Sequence, residues 1–310
     1  GLYSLSGWYI GMQNTRIPMF ISIMQNIVNI LVSLTLVYGF GMKIEGVALG
    51  TVIAQYAGLL MALGLLWCFY GRLFRGKWKL ESIMRNVSVV RVFSFLIPPS
   101  SFLKINRDIF LRTLCLVAVN LYFTSAGARN GAVILSVNTV MMQLYLFFSY
   151  FMDGFAYAGE ALGGRYYGAR NRQAFGEVLR RLFGWTAGVT LLYTALYVVG
   201  GGWIISLLTD EPQVIEASRD YLFWVWLIPA ASALAFIWDG IFIGITATRG
   251  MLLSSFLSAI VFFVICNLPY LSRSVSGFSL PVNHFLWLAM VVYLFMRGVV
   301  QTIWLKNHKL

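Results

Sequence analysis

Three acids, Asp153, Glu160 and Asp239, interrupt long apolar runs of this 310-residue chain. Where such a run crosses a bilayer, an ionisable side chain inside it costs at least a few kcal/mol unless it is paired or at work. A carboxylate carried between dry and wet surroundings takes up and releases a proton or Na⁺, which is the chemistry of ion coupling. Asp239 and Asp153 are the candidates for that role. Asp153 has an alternative, capping or hydrogen-bonding a helix break at Asp153-Gly154. Glu160 lies within a turn of Gly163-Gly164-Arg165 and suits a solvated interface.

Other chemistries lack their residues. His284 and His308 show no His-Glu-x-x-His spacing, and no Gly-x-x-x-x-Gly-Lys-[Ser/Thr] loop occurs. Cys68, Cys115 and Cys266 lie in apolar runs without a Cys-x-x-Cys pair, which reads as packing and not as disulfides or metal ligands. An intramembrane aspartyl protease needs a carboxylate dyad. The contexts Tyr150-Phe151-Met152-Asp153 and Phe236-Ile237-Trp238-Asp239 offer neither a Tyr-Asp pair nor a Gly-x-Gly-Asp. The chain therefore reads as no enzyme, with no metal site and no resident cofactor, H⁺ or Na⁺ serving only as coupling ion.

The elements that must position these acids follow from composition. Apolar residues make up 59% of the chain and charged residues only 11%, too few to cover a water-facing surface. Eight runs are long enough to span a hydrocarbon core: 17–38, 46–70, 105–127, 132–160, 183–208, 219–245, 250–272 and 282–304. The period-2 alternation of an outer-membrane barrel is missing, so the fold is an all-α polytopic membrane helix bundle. In 132–160, Asn138, Tyr145, Ser149, Asp153 and Glu160 fall within about 80° of helical arc, a wet stripe toward a cavity or a neighbour. Ser232, Asp239 and Thr246 form a second stripe, seven residues apart. Asn138, Tyr145, Ser149, Ser232 and Asn120 are the cavity candidates. Asn120, Asn138 and Gln143 equally suit helix–helix hydrogen bonds. Arg112, seven residues into its run, is placed to snorkel toward the nearer face.

Of the 23 Lys and Arg, seventeen fall in one set of alternate loops, four in the other and two, Arg112 and Arg297, inside runs. The rich side, which includes the C-terminus, is expected to be cytoplasmic. Topology and anionic lipid account for the net charge of +12, and no nucleic acid is needed.

An internal repeat relates Gly7-Trp8-Tyr9-Ile10-Gly11-Met12-Gln13-Asn14-Thr15-Arg16 to Gly240-Ile241-Phe242-Ile243-Gly244-Ile245-Thr246-Ala247-Thr248-Arg249 at an offset of 233. Five of the ten positions coincide, each copy closes one helix, and each precedes two more runs. An even offset in spans implies parallel halves. The expected organisation is a remnant of a first lobe at 1–75, a basic cytoplasmic linker at 76–104 with an amphipathic element near Leu80–Leu96, and a second lobe at 105–310. The first three to four helices of the first lobe are expected to lie outside this sequence.

At this point the residues resemble a known family. The run Gly7 to Arg16, followed by Glu45-Gly46-Val47-Ala48-Leu49-Gly50-Thr51, resembles the first half of a MATE (multidrug and toxin extrusion) transporter. Asn106-Arg107-Asp108-Ile109-Phe110-Leu111-Arg112 and Met152-Asp153-Gly154-Phe155-Ala156-Tyr157-Ala158-Gly159-Glu160-Ala161 resemble its DinF-like branch. The resemblance implies a two-lobe, twelve-helix transporter of the bacterial inner membrane. It would act as a monomer and export small amphiphilic or cationic compounds against H⁺ or Na⁺ by alternating access. It places Asp239 at the acidic position of the tenth helix. The seventh-helix acid of the Na⁺-coupled branch is absent, the region reading Arg112-Thr113-Leu114-Cys115-Leu116. The alternative is a lipid-linked oligosaccharide flippase of the same wider superfamily. Such a flippase should present arginines to phosphate, and Arg112 is the one interior arginine considered to begin such a cavity.

Overall fold

The computed structural model describes residues 1–75, 100–272 and 282–307, and every regular element among them is helical. Two compact units emerge, Gly1–Pro98 and Pro99–Leu310. The first holds α1 (Leu2–Gly11), α2 (Arg16–Leu34), which widens into a π turn at Thr35–Gly39, and α3 (Ile44–Arg75). The second holds α4 (Ser100–Arg129), α5 (Ala132–Gly168), α6 (Arg172–Leu208), α7 (Pro212–Ser218), α8 (Leu222–Gly244), α9 (Thr248–Ser272) and α10 (Val282–Asn307). Among the described residues eight helices are long and apolar enough to cross a membrane, at the places the hydrophobic runs predict. The expected amphipathic element near Leu80–Leu96 lies outside the described residues. Residues 100–104, assigned by sequence to the linker, already belong to α4.

Two boundaries differ from the sequence reading. α5 and α6 are each 37 residues long, about 55 Å at 1.5 Å per residue, well beyond a hydrocarbon core of about 30 Å. Arg165, Arg172, Arg180 and Arg181 therefore ride on helical extensions and not in a loop. Within 161–182 the helical path is interrupted only at the turn after Gly168, where Arg170 takes a left-handed φ of +55° and the Asn171 side-chain oxygen accepts from the Ala174 N–H at 3.0 Å to cap α6. Helix α5 also runs unbroken through Asp153-Gly154, so there is no helix break there for Asp153 to cap.

The internal repeat survives at the level of single hydrogen bonds. After α1, the N–H groups of Met12, Gln13 and Asn14 donate to the carbonyls of Trp8, Ile10 and Tyr9 at 3.0, 2.8 and 3.0 Å. After α8, at the same offset, Ile245, Thr246 and Ala247 donate to Ile241, Ile243 and Phe242 at 2.9, 3.0 and 2.8 Å. Gln13 and Thr246 carry the left-handed φ of this helix stop, +60° and +58°. Thr246 is thus an exposed turn residue, and the stripe with Ser232 and Asp239 ends before it. The same stop closes α5, with Arg170 at φ +55°.

Packing in the first unit rests on Tyr9, whose hydroxyl donates to the Ala62 carbonyl at 2.9 Å and whose ring meets Trp8 and Tyr70. In the second unit α8 is the most enclosed span, packed against α5, α6 and α10. Glycines bring it there. A Cβ on Gly240 would overlap the Ala156 carbonyl of α5, and one on Gly244 the Glu160 carbonyl. On α10, a Cβ at Gly298 would come within 2.6 Å of the Leu234 Cβ. In the repeat copy, Gly7 and Gly11 have nothing within 4 Å. Gly240→Ala is therefore expected to destabilise the purified protein by about 2 kcal/mol through overpacking. Thermal unfolding of the variant beside the unaltered protein checks this.

Candidate functional site

The close approach of α10 to α8 at Gly298 sets Arg297, its neighbour, beside Asp239, the neighbour of Gly240. Asp239 is 8% exposed and Arg297 4%. Asp239 Oδ2 accepts from Arg297 Nη2 at 2.5 Å and from Arg112 Nη2 of α4. Its Oδ1 accepts from Gln301 Nε2 at 2.6 Å. Arg297 and Gln301 stand four residues apart and so share one face of α10. One carboxylate thereby ties three helices. Adjacent to it, Trp238 Nε1 donates to Thr302 Oγ1 at 2.7 Å, a second tie between α8 and α10. The Arg297 guanidinium lies 5.7 Å from the centre of the Tyr293 ring.

The carboxylate does not saturate its partners. Arg112 Nε, Arg297 Nε, Tyr293 Oη and Gln301 Oε1 are all buried without a hydrogen-bond partner among the described residues. Across the cluster on α5 stand Tyr145 and Asp153, both half-buried and both close enough to interact electrostatically with Asp239. Asp153 makes no hydrogen bond or ion pair among the described residues. Ser149, half-buried, shares its helix one turn away.

The other predicted site residues are placed as follows. Asn138, 2% exposed, exchanges hydrogen bonds with Asn283 at 2.8 and 3.1 Å and accepts from Trp287 Nε1 at 2.8 Å, which spends its amide on joining α5 to α10. Asn120 is exposed and donates to the Leu116 carbonyl of its own helix at 2.9 Å. Ser232 is buried and donates to the Ile228 carbonyl at 2.7 Å. Among the described residues no group of three His, Cys, Asp or Glu side chains gathers as a metal site.

Arg112 corrects one expectation. It turns inward to Asp239 and does not snorkel outward, because a buried carboxylate offers a partner that a charge alone in lipid would otherwise seek at the interface. It is also not the one interior arginine, since Arg297 joins it. Two further residues were missed by sequence reasoning. Arg297 lies well inside a run with Gln301 one turn later, a spacing that signals a polar face. Asp108, 2% exposed on α4, accepts from Thr248 Oγ1 at 3.2 Å and from Arg107 Nη2 at 2.8 Å, pinning α4 to the start of α9.

A helix bundle with eight membrane-length spans and an ion cluster within it is an integral membrane protein of the class that includes secondary transporters. The chain belongs to the MatE family, which its residues 109–268 match. It is 37% identical over 310 residues to DNA damage-inducible protein F of Escherichia coli K12, covering 98% of this chain and 62% of that protein, and is a DinF-like member. To Protein DETOXIFICATION 42 of Arabidopsis thaliana it is 24% identical over 299 residues, covering 95% of this chain and 52% of that one. Its fold matches a point mutant of the Vibrio cholerae MATE transporter VcmN with a TM-score of 0.78, at 15% identity, over 99% of this chain and 66% of that one. The chain thus spans about half to two thirds of the length of the curated relatives it matches.

The charges order the stability of variants. Asp239→Asn leaves two guanidiniums unpaired and is expected to cost about 3–5 kcal/mol. Arg297→Met alone should cost less, because Arg112 still neutralises Asp239. Added to Asp239→Asn, it should restore part of the loss by removing one unpaired charge. Denaturation of the three variants tests this double-mutant cycle. Losses that add within about 0.5 kcal/mol would contradict the shared-carboxylate arrangement.

Proposed function

We propose that the whole protein is an efflux transporter that exchanges small amphiphilic or cationic xenobiotics for H⁺ or Na⁺ by alternating access. It works as a monomer in a bacterial inner membrane, with its C-terminus on the cytoplasmic side where Lys and Arg concentrate. The observation that carries the reading is the Asp239 carboxylate held between α4, α8 and α10 inside a MatE-family unit. Helices tied through one charge shift together when that charge is neutralised, and a change of occupancy then biases two arrangements of the bundle.

Of the two ions, the geometry favours H⁺ in this unit. Both Asp239 oxygens are engaged by donors, and a metal cation brought to them would meet two guanidiniums. A proton needs no coordination sphere. Asp153, half-buried, without a hydrogen-bond or ion-pair partner among the described residues and within electrostatic reach of Asp239, is free to accept one. Its protonation would shift the balance of charge around the Arg112–Asp239–Arg297 cluster. Tyr145, between the two acids electrostatically, and Ser149 line the same face of α5 toward substrate.

A second reading, flipping of a lipid-linked oligosaccharide, is favoured by one observation. Arg297 beside Arg112 supplies the paired guanidiniums that a phosphate would require.

Ethidium efflux from cells expressing the whole protein, under separately imposed H⁺ and Na⁺ gradients, decides between them. The expected result is efflux driven by the H⁺ gradient and slowed about tenfold or more by Asp153→Asn and by Asp239→Asn. Efflux unchanged in both variants would remove these acids from the coupling path. No efflux under either gradient would contradict the antiporter and leave the flippase.

A further inference from the structure

We propose that Arg112, Arg297 and Tyr293 form an oxyanion-binding site within the second unit, one that takes a carboxylate or phosphate group. The proposal stands on the cluster itself and holds whether or not the protein exports organic cations.

Charge is the first reason. Two guanidiniums, always protonated, face one contacting carboxylate, so the cluster carries a surplus positive charge at its centre. The next acid, Asp153, is half-buried one helix away and pairs with neither arginine. Hydrogen-bond inventory is the second. Three buried donors lack acceptors among the described residues: Arg112 Nε, Arg297 Nε and Tyr293 Oη. A single buried acceptor, Gln301 Oε1, lacks a donor. The cluster is short of acceptors and of negative charge together, and a bound oxyanion supplies both. A water molecule would supply acceptors without charge.

Geometry is the third reason. A guanidinium presents Nε–H and one Nη–H along a common edge, a fork that matches the two oxygens of a carboxylate or phosphate. Both arginines meet Asp239 through Nη2, and both converge on the same atom, Oδ2. One oxygen cannot engage two forks in full, so each guanidinium keeps its Nε–H uncommitted. The site is built, since Arg297 is fixed by burial and by the Tyr293 ring. The Arg112 side chain keeps 15% of its surface exposed, which leaves an approach from its side. An anion arriving there competes with Asp239 for the arginines. Removing the Asp239 charge must therefore strengthen anion binding, the opposite of what a purely structural ion cluster would do.

The test is titration of the purified whole protein in lipid nanodiscs with benzoate, phenyl phosphate or chloride, with benzamide as the uncharged counterpart of benzoate. Thermal unfolding and tryptophan fluorescence are the readouts. Benzoate or phenyl phosphate is expected to bind saturably and benzamide not. Arg112→Gln and Arg297→Gln should each weaken binding about tenfold, and Asp239→Asn should tighten it by about threefold or more. Preference for phenyl phosphate would assign the site to a phosphate carried by lipid, and preference for benzoate to a carboxylate on the transported compound. Should a Gln variant fail to fold, Arg297→Lys keeps the charge but loses the fork and should still weaken binding. No anion binding by the native protein and by Asp239→Asn would overturn the proposal. So would saturation by chloride alone, equal binding of benzamide, or weaker binding in Asp239→Asn. Ethidium efflux that persists alongside any of these would leave the transport reading intact.

Discussion

A carboxylate buried among lipid-spanning helices stays ionised only while opposite charge and donors surround it, and Asp239 has both from two other helices. Breaking such a pair from one side exposes an uncompensated charge to a medium that cannot solvate it. The helices contributing the pair are therefore constrained to move as a set or to exchange partners. This constraint explains the local architecture. Gly240 and Gly298 remove the side chains that would hold α5, α8 and α10 apart, and the charged residues stand one position away from each glycine. Close backbone approach and charge pairing are two halves of one arrangement. The small residues give the distance and the ions give the register.

The repeat separates what the fold needs from what the second unit adds. The helix stops after α1 and α8 reproduce the same three hydrogen bonds and the same left-handed residue. At the repeat offset Asp239 corresponds to Ser6, while Gly240 and Gly244 correspond to Gly7 and Gly11. A helix ending of this shape therefore forms without an acid, and Asp239 is not part of what stops α8. The Asn138–Asn283–Trp287 contact is of another kind: its groups satisfy one another and leave no buried atom of the three unpartnered.

What was legible in the sequence follows from which physics is local. Span number and position are dictated by the hydrocarbon thickness, and the eight apolar runs found their helices. Asp239 stood out because an acid in an apolar run is expensive wherever it points. The partners of Asp239 were not legible, because which helix face meets which is decided by packing between distant segments. Arg112 reads equally as a snorkelling residue or as an inward partner from its own helix alone. Arg297 carried a weak signal in Gln301 one turn later. The ends of α5 and α6 were misjudged for a different reason. Arginine-rich sequence marks the end of the lipid, not the end of a helix, and the turn at Arg170 and Asn171 is what separates these two. Asn138 illustrates the limit of periodicity: a polar stripe shows that something polar faces it without showing whether that is a cavity or another amide.

The central claim is that the Asp239 carboxylate sets the spacing of α4 and α10. The direct measurement is an electron–electron distance distribution between spin labels on cysteines introduced at the exposed positions Leu121 of α4 and Phe295 of α10, with Cys68, Cys115 and Cys266 replaced by alanine. Compared with the protein that keeps Asp239, the Asp239→Asn variant should show a broadened distribution or a second distance, as the two helices lose their common tie. Superimposable distributions would contradict the claim and reduce the cluster to a passive charge pair.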